Sequence, residues 1–220
     1  MSFVNEFYEI CEKLKKEATS QNERRLIVII TEKEFKEVFK ILERFVTENT
    51  LIVSYEKVEK GFWIEFKDSQ KILGMTFDNA IVDLRENIHP DDIGRIVDTI
   101  KGSGLIFFII YDFEKTLDHI HNFKKNLVYY SDEPARSIFE KRFIDKLLSS
   151  KCVTIVDLDK KQILKVGSIV KEKIKKKVLI FPKSKIPKRL LKVCITQDQL
   201  NVLKSLEKFF FSKNRVFILK

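Results

Sequence analysis

Apolar residues in the first stretch of the chain recur at helical spacing. Phe3, Phe7, Ile10, Cys11, Leu14 and Ala18, with Glu and Lys between them, predict an amphipathic helix over 3–18. The pattern then changes. Arg25 to Thr31 (RLIVIIT) is a solid run rich in β-branched residues, which predicts a buried strand. Thr31 followed three positions later by Glu34 fits a capping box and predicts a helix over 32–48, with Phe35, Val38, Phe39, Leu42 and Phe45 on one face. Apolar runs at 51–55, 62–66 and 79–84 (NAIVDL) predict three more strands. Pro90 with Asp91 and Asp92 opens another helix, because a fixed proline φ and first-turn acids suit the positive helix end. Gly102 and Gly104 stop it, and Leu105 to Tyr111 (LIFFIIY) is the most apolar strand of all. The later chain predicts a helix over 134–149, strands near 152–157, 162–166 and 177–181, a helix over 196–209 and a last strand over 215–219.

Strands that alternate with helices and read as continuous apolar runs point to a sheet covered on both faces. The fold class is therefore α/β, a mostly parallel, doubly wound, Rossmann-like sheet with an added basic segment. The sequence divides into an α/β domain over 1–150, a basic β-rich connector over 151–195, and the start of a further module over 196–220.

Composition narrows the class. With 44% hydrophobic residues, including 19 Phe, and only 6 Gly and 4 Pro in 220 residues, the chain can offset its ordering entropy with a core, which excludes disordered and collagen-like chains. Cys11, Cys152 and Cys194 fit no paired metal-ligand spacing and point to a reducing compartment. The N-terminus has no charged leader followed by an apolar region, and no uncharged run reaches membrane-spanning length, so a cytoplasmic protein with no membrane partner is expected.

The charge is unevenly spread. The whole chain carries +10, yet between Lys160 and Lys192 there are 13 Lys+Arg and one acid, Glu172, so the remainder is slightly acidic. Lys171, Lys173, Lys175, Lys176 and Lys177 form one cluster; Lys183, Lys185, Lys188, Arg189 and Lys192 form a second around Pro187. Cations gathered in this way make a footprint for phosphate backbones, without base readout. The alternative is that they are solubilising surface on an interaction platform.

Other chemistry is thin. His119 and His121 have no evident third ligand, so no metal is expected. Gly102-Ser103-Gly104 follows a helix and precedes a strand, the reverse of a phosphate loop, and reads as a helix C-cap. Asp83 fits a strand end, Asp91 and Asp92 fit a helix start, and these with Asp78 lack a nucleophile-and-base arrangement, so no catalytic residue is assigned.

The segment Leu73-Gly74-Met75-Thr76-Phe77-Asp78, running on through NAIVDLRENIHPDDIGRIVDTIKGSGLIFFII, resembles the N-terminal domain of the tRNA(Met) cytidine acetyltransferase family. Two further blocks occur in the family's order: Ser137 to Ile144 followed by Cys152 to Asp157, and Thr196-Gln197-Asp198-Gln199 followed by a helix and the strand Val216 to Leu219. In the family this last helix and strand lead into a phosphate loop, and a nearby glutamine contacts ATP. The resemblance places that role on Gln199, with Gln197 as the fallback. A glutamine amide both donates to and accepts from an adenine edge.

The resemblance implies the N-terminal part of an ATP-dependent enzyme that forms N4-acetylcytidine at the wobble position of elongator tRNA(Met). ATP with Mg, and acetyl-CoA, would serve the full-length enzyme, and none is expected to bind this part tightly alone. Its implied partners are tRNA and the helicase-like ATPase and acetyltransferase modules of the same chain. The sequence stops at Lys220, where the family's phosphate loop would begin. A freestanding, non-enzymatic RNA-binding or scaffold module of the same fold is the alternative expectation.

Overall fold

The computed structural model describes residues 2–119, 137–167, 180, 183–194 and 196–213. The chain forms two compact units, Met1–Val170 and Lys171–Lys220.

The first unit is built on a seven-stranded sheet of order β3-β2-β4-β5-β1-β6-β7. Its strands are β1 (Arg25–Ile30), β2 (Thr50–Val53), β3 (Phe62–Ile64), β4 (Asn79–Asp83), β5 (Leu105–Ile110), β6 (Val153–Asp157) and β7 (Gln162–Lys165). All neighbours pair in parallel except β6 and β7, which form an antiparallel edge. Every residue of β2, β4, β5 and β6 is buried. Two covered faces need exactly such unbroken apolar runs, as α/β sheets require. The sheet takes in residues 153–165, beyond the boundary at residue 150 drawn from the sequence.

Helices α1 (Phe3–Gln21) and α2 (Phe35–Leu42) cover one face, packing Phe7, Cys11, Leu14, Phe35, Val38 and Leu42 on Ile27, Ile29, Phe107 and Ile109. Burial pushes the Cys11 thiol pKa up, so it stays protonated and behaves as a small hydrophobe. The other face carries α3 (Pro90–Asp98), α5 (Ile138–Ser149) and the 3-10 segment Phe66–Ile72, packed on Val28, Ile30, Val82, Ile106 and Phe108. Between β5 and α5, helix α4 (Phe113–Asp118) begins at Asp112, whose carboxylate accepts from the Lys115 N–H. At the amino ends of the strands Asn79 ties elements together: its Oδ1 accepts from Leu105 N–H and Lys15 Nζ, and its Nδ2 donates to the Phe45 carbonyl.

Several local expectations are corrected. The helix expected over 32–48 spans only 35–42, followed by a 3-10 turn over 43–45, and its N-cap is Glu34 without a side-chain bond. Thr31 does not cap it, because the helix starts only at Phe35; the Thr31 hydroxyl accepts from the Lys33 N–H at 3.1 Å and donates to Asp159 beyond β6. The strand expected over 62–66 ends at Ile64, because Phe66 turns into the 3-10 segment. Helix α3 is capped at Thr99, so Gly102 and Gly104 lie beyond the cap in the turn into β5. A Cβ on Gly102 would lie 2.2 Å from the Asn22 Oδ1, so that turn admits no side chain. Residues 134–136 of the expected 134–149 helix, His121, most of the strand expected over 177–181, and the strand expected over 215–219 lie outside the described residues.

In the second unit α6 (Lys188–Leu191) and α7 (Gln197–Phe210) are described. No described helix is long and apolar enough to cross a membrane.

Candidate functional site

β1 and β5 are adjacent and parallel, yet β1 leads to α2 on one face and β5 to α4, whose Phe113 packs on the other. Strands whose connections diverge in this way leave a crevice at their carboxyl ends, where α/β sheets commonly bind ligands. Here that end is crowded with paired charges. Asp83 and Arg85, both over nine-tenths buried, form a bidentate pair, Nε to Oδ1 at 2.8 Å and Nη2 to Oδ2 at 2.7 Å. The remaining Arg85 nitrogen, Nη1, donates to the Lys33 carbonyl after β1.

Beside this pair, the Tyr111 hydroxyl donates to Glu86 Oε1 at 3.0 Å, and His119 Nε2 meets Glu86 Oε2 at 3.0 Å. Burial first, and then the bond to Glu86 and that carboxylate's charge, push the Tyr111 pKa up to about 12. Lys115 Nζ lies 4.1 Å from the centre of the Tyr111 ring and pairs with Glu32.

In phosphate-binding sheets the loop after the first strand presents backbone N–H groups to the anion. Here Asp159 takes that place: its Oδ2 accepts from Glu32 N–H at 2.7 Å and its Oδ1 from the Thr31 hydroxyl at 2.9 Å. A phosphate arriving there would have to displace a carboxylate and face Glu32 and Glu34. At this end of the first unit the charged groups are bonded to one another, the Asp83–Arg85 pair buried and the Lys115–Glu32 pair at the surface.

The second unit is arranged differently. Thr196 and Gln199 form a reciprocal capping box at the start of α7: Gln199 N–H donates to Thr196 Oγ1, and Gln199 Oε1 accepts from Thr196 N–H at 3.1 Å. Gln199 also lines a groove of about 560 Å³ with Leu190, Val193, Cys194, Asp198, Val202 and Leu203. Gln197 is committed elsewhere, since its amide bonds both the N–H and the carbonyl of Ile180, at 3.0 and 3.2 Å.

Lys183, Lys185, Lys188, Arg189 and Lys192 are exposed. Among the described residues, Lys188, Arg189 and Lys192, on and just after α6, have no acidic partner. Lys171, Lys173, Lys175, Lys176 and Lys177 lie outside the described residues. Sequence reasoning missed the Arg85, Glu86 and Tyr111 network; the one signal it left was an arginine two positions after a strand-end aspartate.

A family model described as tRNA(Met) cytidine acetyltransferase TmcA, N-terminal, matches residues 1–158. The chain belongs to this family. Among TmcA relatives, a tRNA(Met) cytidine acetyltransferase of Pyrococcus abyssi is 40% identical over 150 residues, covering 66% of this chain and 18% of its own length. That of Thermofilum pendens is 32% identical over 164 residues, 71% of this chain and 20% of its own. The TmcA of Methanopyrus kandleri is similar over a longer stretch, 28% over 194 residues, which is 84% of this chain and 22% of its own. The chain thus spans about a fifth of the length of the curated TmcA relatives it matches.

Proposed function

We propose that this chain is the N-terminal part of an ATP-dependent tRNA cytidine N4-acetyltransferase, in which it contributes RNA-backbone contact and packs against the ATPase module. The observation that carries this reading is the family match over residues 1–158, together with relatives named for that activity. In the reaction the cytosine N4 amine attacks the thioester carbonyl of acetyl-CoA. A C–N bond forms, the C–S bond breaks, and the coenzyme leaves as the thiol with the proton the amine gives up. The amine must first be presented, which requires the base to be unstacked and held in orientation.

The first unit serves as the folded platform in this reading, since its crevice is filled by its own carboxylate. The second unit supplies the cations, Lys171 to Lys177 and Lys183 to Lys192. Gln199, on a largely apolar groove, is the nucleotide-contact candidate. ATP, Mg and acetyl-CoA belong to the modules of the full-length enzyme.

Filter binding of tRNA to the 220-residue chain, with Lys175, Lys176 and Lys177 replaced together by Ala, tests the RNA role. Affinity at low salt is expected to fall while the melting temperature stays within a few degrees. Unchanged affinity removes this contact from the reading. RNA binding by the full-length protein that ATP and acetyl-CoA leave unaltered would favour a scaffold module.

A further inference from the structure

Two aromatic rings stand in solvent at the end of α7, Phe210 at 82% and Phe211 at 72% exposure. Two neighbouring rings this open form a small apolar patch on a charged surface. Their setting is built by Glu207, one turn earlier. Its carboxylate accepts from the Ser184 hydroxyl at 2.6 Å and from the Lys185 backbone N–H, which pins the 183–186 segment to the last turn of the helix. That pin sets Lys185 Nζ 4.7 Å from the centre of the Phe211 ring. The bonds from Ser184 and the Lys185 backbone hold the Glu207 carboxyl below the usual range, so it stays charged and engaged.

Along the same helix Lys204, Lys208 and Phe211 follow at spacings of four and three, which puts two exposed cations on one stripe leading to the ring, beside the Glu207 carboxylate that the 183–186 segment already engages. An aromatic face flanked by a line of lysines is the arrangement that holds single strands, with bases stacking on the ring and phosphates tracking the cations. Duplex RNA offers no unstacked base to such a ring.

We propose that Phe211, with Phe210, Lys185, Lys204 and Lys208, forms a stacking site for an unpaired nucleotide of RNA. The inference rests on the RNA reading above and adds that this face selects single-stranded over duplex segments. A substrate whose target base must leave its stack gives such a face a use, holding a neighbouring nucleotide in the open form.

The test uses the full 220-residue chain and two probes, a short single-stranded RNA carrying 2-aminopurine and a blunt-ended RNA duplex of equal length. Replacing Phe210 and Phe211 together by Ala is expected to weaken single-strand binding about tenfold or more, the loss of one stacked base. Duplex affinity and the salt dependence should stay the same. Both rings are exposed, so folding should be unaffected, and far-UV circular dichroism checks this. Phe211→Trp should keep the affinity, with its indole fluorescence quenched by RNA. If the double Ala variant binds the single strand as tightly as the parent while the lysine variants do not, the stacking site is wrong and the RNA reading stands. If the parent chain binds neither probe at low salt, the RNA reading itself fails. If the Ala variant instead dissolves a self-associated chain and leaves RNA binding alone, the rings are a protein contact and the proposal is overturned.

Discussion

The two units of this chain treat charge in opposite ways. In the first, ionic groups at the carboxyl ends of the sheet are spent on one another: Arg85 on Asp83, Lys115 on Glu32, and Asp159 on the backbone after β1. In the second, Lys188, Arg189 and Lys192 project from the surface with no acid beside them among the described residues. A charge neutralised in a buried pair helps specify a fold and offers nothing to a partner. A charge left exposed in a run of like charges costs the fold a little repulsion and offers a partner the release of its counterions. The contrast fits the proposed division of labour, in which the first unit carries stability and the second is the candidate for RNA contact.

The strongest way to break this contrast is at the buried pair. Asp83→Ala leaves the Arg85 guanidinium buried without its partner, and urea unfolding should show a loss of about 3–5 kcal/mol. A loss below about 1 kcal/mol would mean that the network at the sheet's end is not what closes the crevice.

The converse change is Lys188, Arg189 and Lys192 together to Ala. Stability should move by no more than about 0.5 kcal/mol. The slope of log affinity for tRNA against log salt should become shallower by roughly 2 to 3, since each phosphate contact contributes about 0.7 to 0.9. An unaltered slope would return these cations to the role of solubilising surface.

A smaller effect tests the capping box at Gln199. Thr196→Ala removes the hydroxyl that caps α7 and should cost about 1 kcal/mol, read as faster hydrogen exchange of the Gln199 amide. If exchange is unchanged, the capping box does not hold the helix start.

The smallest effect is confined to alkali. The Tyr111 pKa is raised above its ordinary value of 10.0 to about 12, so the folded state holds the phenol proton more tightly than the unfolded chain. That contribution is fully present below about pH 10 and is lost as the pH rises towards 12. Tyr111→Phe should flatten the alkaline decline in melting temperature, and an identical decline in both proteins would show that the phenol is not its source.

Much of the first unit was legible because its strands are unbroken apolar runs and its helices repeat at a clear spacing. What stayed hidden was long-range. The capping box expected at Thr31 and Glu34 does not form: the helix starts later, and the Thr31 hydroxyl is held by the Lys33 N–H and by Asp159, a residue 128 positions away that no local pattern announces. Phe66 continued an apolar strand pattern, yet its turn into a 3-10 segment depends on the core beneath it. Arg85 carried no reading from the sequence, because its partners come from the end of β4 and from the loop after β1, which meet only in the fold. In the second unit the sequence marked the lysines through their number. It said nothing of Phe210 and Phe211, because exposure belongs to the fold and not to the residue type.

The central claim is that the second unit meets RNA through its backbone charge. The direct test is tRNA binding by the 220-residue chain measured across a salt series. A steep linear fall of log affinity with log salt, with a slope of several units that shrinks when Lys188, Arg189 and Lys192 are removed, is the predicted result. A slope near zero, or no measurable binding at low salt, would contradict it.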